Sequence, residues 1–432
     1  MRVLMFGWEF PPLISGGLGT ACYELTRTLS RHGNKIIFVV PRAGTQERKS
    51  HVKLVAAAEV PLPYPTNVEE FFHALSIKPV DSILRPYLTD EDYPMVLNAA
   101  TGTPGDQAPA ATGEPASPSS IMATAEHYGR NLMAEVARYS EIGEELALTE
   151  TFDIIHAHDW MTFLAAIRAK RASGKPMVAH VHAVEYDRSG DHVNQSIFEI
   201  EKLGMEAADH VIAVSHYTRE LILSQYGINP GKVSVVHNAV SRRQAGKVYH
   251  VPQSPKKKTV LFLGRVTSQK GPEYFVEAAA RVLEKMPEVT FVMAGAGDML
   301  ARMIERVGEL RIGTHFHFTG FLQGHDVERM YAMSDLYVMP SVSEPFGLSP
   351  LEAMIYDVPV ILSKQAGVNE VLPYALTVDF WNVDDIANKI LAVLKYPALS
   401  RELLRNGRKA LHSIRWEVAA ERIQLLYNKL AV

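Results

Sequence analysis

Two carboxylates, Glu344 and Glu352, stand with seven residues between them in the stretch Ser-Val-Ser-Glu-Pro-Phe-Gly-Leu-Ser-Pro-Leu-Glu, residues 341–352. An apolar run over 335–339 precedes the stretch and reads as a short buried strand. A helix is expected over 351–356, with Ser349 at its N-cap, Pro350 at its first position and Glu352 at its third. A strand end, a glycine loop and a helix start together leave bare N–H groups facing an anion. Carboxylates repel phosphate, so the two glutamates must address another part of the same ligand, and sugar hydroxyls are their natural partners. A capping box at Glu352 and a solvated loop charge at Glu344 account for this stretch equally well.

Other polar residues gather where strands are expected to end. Gly16, Gly17 and Gly19 open a helix running to about Arg31, a turn that lets backbone approach a phosphate. A dinucleotide-binding dehydrogenase fits poorly. The following strand ends in Val39-Val40-Pro41-Arg42, with no acid for a ribose diol, and the glycines lack the G-x-G-x-x-G spacing. His156-Ala157-His158-Asp159-Trp160 and His180-Val181-His182 end two further strands. Alternate strand residues share a face, and no H-E-x-x-H anchors a zinc site. Some of these histidines are therefore interior, Asp159 and His182 are expected to point into a cleft, and no metal is expected. Arg265 and Lys270 lie in Gly-Arg-Val-Thr-Ser-Gln-Lys-Gly, residues 264–271, and suit a diphosphate: a planar fork and a point charge. Asn238 fits either a domain-boundary cap or a site residue. Asp90-Glu91-Asp92, a D-x-D arrangement, reads as an acidic loop, and Lys256 to Lys258 as solvated charge.

The chain that must position these groups has 432 residues, 47% hydrophobic and 21% charged, with a formal charge of −4. Such a length holds two or three domains, and the charge provides no broad basic field for nucleic acid. Cys22 is the sole cysteine, which suits a reducing compartment, and no run approaches the ~20 apolar residues of a membrane helix. A cytoplasmic protein is expected. Strands are expected over 2–7, 35–40, 52–61, 152–157, 176–182, 210–214 and 233–236, then over 260–263, 289–294, 315–319, 335–339 and 358–362. Helices fall between them, and the last runs over 417–430. This alternation predicts two Rossmann-like, doubly wound parallel sheets facing across a cleft, joined by a linker over 240–258. The stretch 98–120 is rich in Ala, Pro, Gly, Thr and Ser and is expected to be a mobile excursion. Ligands of such sheets bind beyond the carboxyl ends of the strands, where the polar residues lie.

Arg265 with Lys270, Glu344-Pro-Phe-Gly-Leu with Glu352, and the Gly-Gly-Leu-Gly turn together resemble the retaining glycosyltransferases of the GT-B type. The likeness is to family 4 and to the bacterial and archaeal glycogen synthases. His158-Asp-Trp and His182-Ala-Val-Glu-Tyr are similar to the glycogen-synthase side. The resemblance implies a first domain over 1–245 that receives the acceptor and a nucleotide-sugar domain over 246–412. It also implies a segment, 413–432, that packs back on the first. Arg265 and Lys270 would neutralise the donor's diphosphate without a metal, and no cofactor is implied. Glu352 would take the ribose hydroxyls and Glu344 those of the sugar, with Phe346, Gly347 and Leu348 alongside. Gly16 and Gly17 would bring amides to the diphosphate, and His182 would sit over the reacting sugar. The implied donor is ADP-glucose or UDP-glucose and the implied acceptor an α-glucan. A family 4 enzyme of surface-polysaccharide or lipid-linked glycan synthesis, a nucleotide-sugar epimerase and a regulatory binder are the alternatives. Ile14 stands where bacterial glycogen synthases carry the lysine of Lys-x-Gly-Gly, and the 98–120 excursion has no counterpart in the family.

Overall fold

The computed structural model describes residues 1–11, 16–42, 50–62, 132–241 and 257–431. Ile14, Asp90 to Asp92, the 98–120 excursion and most of the expected linker lie outside the described residues.

Seven strands build the first sheet: β1 (Arg2–Phe6), β2 (Lys35–Val40), β3 (Lys53–Ala56), β4 (Ile154–His158), β5 (Met177–Val181), β6 (His210–Ala213) and β7 (Val233–Val235). Six build the second: β8 (Thr259–Leu263), β9 (Thr290–Ala294), β10 (Phe316–Gly320), β11 (Leu336–Met339), β12 (Val360–Ser363) and β13 (Leu376–Val378). Their orders are β3-β2-β1-β4-β5-β6-β7 and β10-β9-β8-β11-β12-β13, and the central pairings are parallel. Each order reverses once, between β1 and β4 and between β8 and β11, and those switch points open the crevices in which such sheets hold ligands.

The central strands are mostly apolar because helices cover both faces, whereas the edge strand β10 leaves His317 and Thr319 exposed. In β1, Val3, Leu4, Met5 and Phe6 are all fully buried, and each such side chain contributes about 1.5–3 kcal/mol. One apolar cluster runs without a break from Val3 and Met5 in the first domain to Leu351 and Leu362 in the second. It takes in Trp416, Ile423 and Tyr427 of the final helix, Trp416–Leu430. That helix lies against Gly17–Arg31. Its Tyr427 hydroxyl is 2.6 Å from His156 Nδ1, and its Gln424 accepts from Asn34 Nδ2.

Several elements depart from expectation. β11 begins one residue late because Asp335 serves another purpose: its carboxylate accepts from Lys258 Nζ at 2.8 Å and Thr259 N at 2.9 Å, pinning the start of β8. The 52–61 strand stops at Ala56 and turns into a short 3-10 segment, Ala57–Glu59. β13, three residues long, is too short for any periodicity to announce it.

Candidate active site

The second domain brings its charges together beyond β8 and β11. The loop after β11 is anchored by backbone: Glu344 N donates to Gln365 O and Gly367 N donates to Glu344 O, both at 2.9 Å. Glu344 is 6% exposed. Its carboxylate forms an ion pair with Lys270 and lies 3.4 Å from Ser341 Oγ. Gly347 has φ +94°, and a Cβ there would press to 3.1 Å from Glu344 Cγ, so glycine both makes the turn and leaves room for the carboxylate. Gly271 closes the loop after β8 at φ +62°, where a Cβ would meet Pro340 O at 2.2 Å; the two loops touch through it. Arg265 Nη2 donates to Gln269 Oε1 at 3.2 Å. Burial draws its guanidinium down to about 10, while Glu344, Glu9 and Asp298 hold it up, so it remains a cation at neutral pH.

The expected capping box is not formed. The helix runs Ser349–Ile355, and Leu348 already has helical angles, φ −79° and ψ −34°. Ser349 is thereby drawn into the first turn, where its hydroxyl meets the buried Tyr331 and Tyr337. Glu352 Oε2 accepts from the Tyr331 hydroxyl at 3.1 Å. Burial raises the Glu352 carboxyl above its ordinary value and the tyrosine bond opposes this. Phe346, 3% exposed, belongs to the shared apolar cluster with its ring 6.0 Å from His237.

The first domain presents imidazoles. His158 pairs with His180 across β4 and β5. His156 Nε2 is 3.1 Å from His180 Nδ1, and His158 Nδ1 is 2.9 Å from His182 Nε2. Burial lowers all four, His156 to about 3, so the cluster is neutral. His158 Nε2 and His180 Nε2 find no hydrogen-bond partner among the described residues. Donor atoms of His156, His158 and His180, of Cys22, His158 and His182, and of His216, His237 and Glu370 lie within 4.8 Å of one another, close enough to hold a cation. Asp159 is 6% exposed and lies against the backbone at His182. It sits at φ 60°, and its Oδ1 accepts from His182 N at 2.6 Å and more weakly from Ala183 N, so it shapes the loop carrying the histidine. Gly16 caps the helix Gly17–Arg31 in extended conformation.

Gly17 faces the other domain: a Cβ there would lie 3.7 Å from Leu348 Cδ1. Leu348 and Glu352 share a small cleft with Thr20, Glu24, Val240 and Trp416, where the domains and the final helix meet. Asn238, 8% exposed, is buried near this junction. The structure thus gathers Arg265, Lys270 and Glu344 directly. Gly17 and Leu348 approach across the cleft, Glu352 bonds Tyr331, and Asp159 and Phe346 are buried.

Three acids were missed as functional candidates. Glu9, 7% exposed, stands between Trp8 and Phe10 just past β1, and its charge reaches both Arg265 and Cys22; an acid in so apolar a stretch was a legible signal. Asp187 accepts from Ser343 Oγ at 2.6 Å. Glu370 accepts from His216 N at 2.8 Å, Tyr217 N at 2.9 Å and His237 Nε2 at 2.7 Å. Both join the domains, and neither has a local pattern to mark it.

Two family models match the chain: Glycosyltransferase Family 4 over residues 95–244 and Glycosyl transferases group 1 over 250–410. Between them these spans take in more than half of the sequence. The chain is a GT-B glycosyltransferase. An uncharacterized glycosyltransferase of Methanocaldococcus jannaschii is 25% identical to it, covering 99% of this chain and 98% of the relative. The glycogen synthase of Mycobacterium tuberculosis is 24% identical over 99% and 94%. Among solved structures, sucrose-phosphate synthase of Thermosynechococcus elongatus superposes with a TM-score of 0.71 at 18% identity, covering 99% and 98%. HepE of Anabaena, in complex with UDP-glucose, superposes at 0.69 with 16% identity over the whole of both chains. These likenesses show a shared fold. No described helix of the glycosyltransferase is long and apolar enough to cross a membrane.

Proposed function

We propose that this glycosyltransferase moves a glucosyl unit, with retention, from ADP-glucose or UDP-glucose to an α-glucan in the cytoplasm. The observation that carries the reading is the Lys270–Glu344 ion pair beside Arg265 at the switch point of the second sheet. A buried ion pair with one partner removed is costly, so the pair holds both groups ready. A donor's diphosphate would draw Lys270 to itself and leave the Glu344 carboxylate free for sugar hydroxyls. As the anomeric C–O bond breaks, negative charge builds on the departing diphosphate oxygen. Fixed cations there lower the barrier because they interact more strongly with the transition state than with the bound donor. The acceptor oxygen bonds to the anomeric carbon on the same face, and its proton leaves with the diphosphate. Arg265 and Lys270 supply the positive charge, so the reading carries no metal or cofactor.

In this reading residues 1–245 take the acceptor, 246–412 the donor, and 413–432 return to the first domain. Glu352 would exchange its tyrosine partner for the ribose diol. Gly16 and Gly17 would turn amides toward the phosphates, and His182 would hydrogen-bond the sugar. The glycogen synthase relative and the UDP-glucose bound to HepE support a glucose donor. A panel of nucleotide sugars, scored for diphosphate release with and without a glucan primer, tests it. Release with ADP-glucose or UDP-glucose that rises with primer is the expected result. Release only with a non-glucose donor would overturn the glycogen-synthase assignment, and indifference to primer would point to a surface-polysaccharide or lipid-linked acceptor.

A further inference from the structure

We propose that Asp187, acting through Ser343, is a positioning residue for transfer: it seats the loop bearing Glu344 against the first domain when the two domains close. The inference rests on the donor-site reading above.

Asp187 lies in the short helix Glu185–Ser189, just past His182, and is 2% exposed. One carboxylate oxygen serves its own domain, accepting from Val184 N at 2.8 Å. The other accepts from Ser343 Oγ of the second domain at 2.6 Å. The Tyr217 hydroxyl, also from the first domain, is 2.9 Å from the same Oγ. Ser343 has a single proton to give. With Asp187 ionised, that proton goes to the carboxylate and Tyr217 must donate to Ser343, so the three groups have one order.

Glu344 follows Ser343, and the next residue is held as well. Pro345 O accepts from Ser215 Oγ at 2.5 Å and from Thr218 Oγ1 at 3.3 Å. Groups of the first domain therefore grip the chain immediately before and immediately after Glu344. Their own platform is rigid. Arg188 bonds Glu185 at 3.2 Å, Glu201 at 2.9 Å and Ala183 O at 3.2 Å, tying the Asp187 helix to the loop behind His182. Glu344 and His182 are thus registered to one another through Ser343 and Asp187.

The arrangement also depends on closure. In an opened molecule the outer oxygen of Asp187 would meet water, at little cost. In the closed molecule it is dry; burial, with a smaller contribution from the Glu344 charge, pushes its carboxyl up to about 6, against the bonds from Ser343 and Val184 and the charge of Arg188. Ser343 is the partner that makes the buried acceptor tolerable, so its loss penalises the closed state specifically.

The test uses the full chain with Ser343→Ala, Asp187→Ala and the double variant. With the accepted nucleotide sugar, each single variant is expected to lose kcat on the order of 100-fold, because small misplacement of reacting groups has that effect. Donor KM should move by less than about threefold, which separates positioning from lost binding. The double variant should lose clearly less than the two single losses combined, since both changes remove the shared Asp187–Ser343 bond while only Asp187→Ala also deletes the bond from Val184 N. In small-angle scattering with UDP or ADP present, wild type should contract while the single variants stay expanded. Wild-type kcat and contraction in Ser343→Ala would overturn the proposal, and so would additive losses in the double variant. Should wild type turn over no nucleotide sugar, the donor-site reading fails; scattering of the nucleotide-free proteins then decides, with the single variants expected to be more expanded than wild type and equal dimensions overturning the proposal.

Discussion

The two polar clusters, one in each domain, are made of opposite materials. On the first domain the wall is imidazole: His156, His158, His180 and His182, buried and kept neutral by burial. On the second it is ionic: the Lys270–Glu344 ion pair stands beside Arg265, whose guanidinium remains a cation at neutral pH. His156, His158 and His180 lie near the carboxyl ends of β4 and β5 and His182 just past β5, while Arg265, Lys270 and Glu344 lie in the loops after β8 and β11; that placement alone does not explain the difference. Burial with a partner does. The carboxylate of Glu344 has Lys270 to stabilise its charge, whereas each histidine has mainly another histidine, and two adjacent imidazolium ions in a dry interior would repel. On the proposed reading this division is useful, since a diphosphate needs fixed cations on one side and gains nothing from a competing charge beside the sugar.

The comparison breaks first if the ionic side is dispensable. Glu344→Ala and Arg265→Ala should each cut transfer by on the order of 100- to 1,000-fold while leaving the circular-dichroism spectrum unchanged. Near-wild-type turnover in either would remove the second cluster from the chemistry. The neutral side makes its own prediction in acid. His156 titrates at about 3 in the folded chain against an ordinary value of 6.5, so between those values only the unfolded chain takes up this proton. Stability from this group is therefore complete above about 6.5 and lost as pH falls toward 3, by up to about 1.4 kcal/mol per pH unit. His156→Gln should have a melting temperature that falls less steeply than wild type between pH 6.5 and 5. Glu201 and Asp187, raised to about 7 and about 6, act in the opposite sense but are common to both proteins. An unchanged slope would show that the imidazole wall is not held neutral.

A smaller effect should come from the anchor behind that wall. Tyr427→Phe deletes the 2.6 Å contact to His156; it should cost about 1 kcal/mol, read as a lowered melting temperature, with kcat of the folded enzyme retained. A loss of kcat instead would mean that the final helix aligns the histidines for reaction. Last, EDTA should leave transfer unchanged. Activity lost to EDTA and restored by a divalent ion would make the histidine cluster or Asp90 to Asp92 a metal site and turn the contrast between the two walls into a contrast between two charged sites.

Residue type and spacing determined a good deal on their own. Parallel strands buried on both faces are apolar, so β1, β2 and, in the second sheet, β8, β9, β11 and β12 could be read as short, largely apolar runs. Arg265, Lys270 and Glu344 could be picked out because ionisable residues directly after such runs have few places to go other than a crevice. Ser349 and Glu352 misled for the complementary reason. A capping box is a local pattern, and the tyrosines that took both side chains away lie outside it, at 331 and 337.

Only the tertiary structure decided the remainder. Asp187 reaches Ser343 over 156 residues, Glu370 caps a helix in the other domain, and Tyr427 closes on His156 from the far end of the chain. None of these pairs has a signature, because a hydrogen bond between distant residues needs only the right atom in the right place, and that place is set by how the two sheets and the last helix share one apolar core. The chemistry of each wall is thus written in its residues, but which wall faces which, and what holds them in register, is a property of the packed fold.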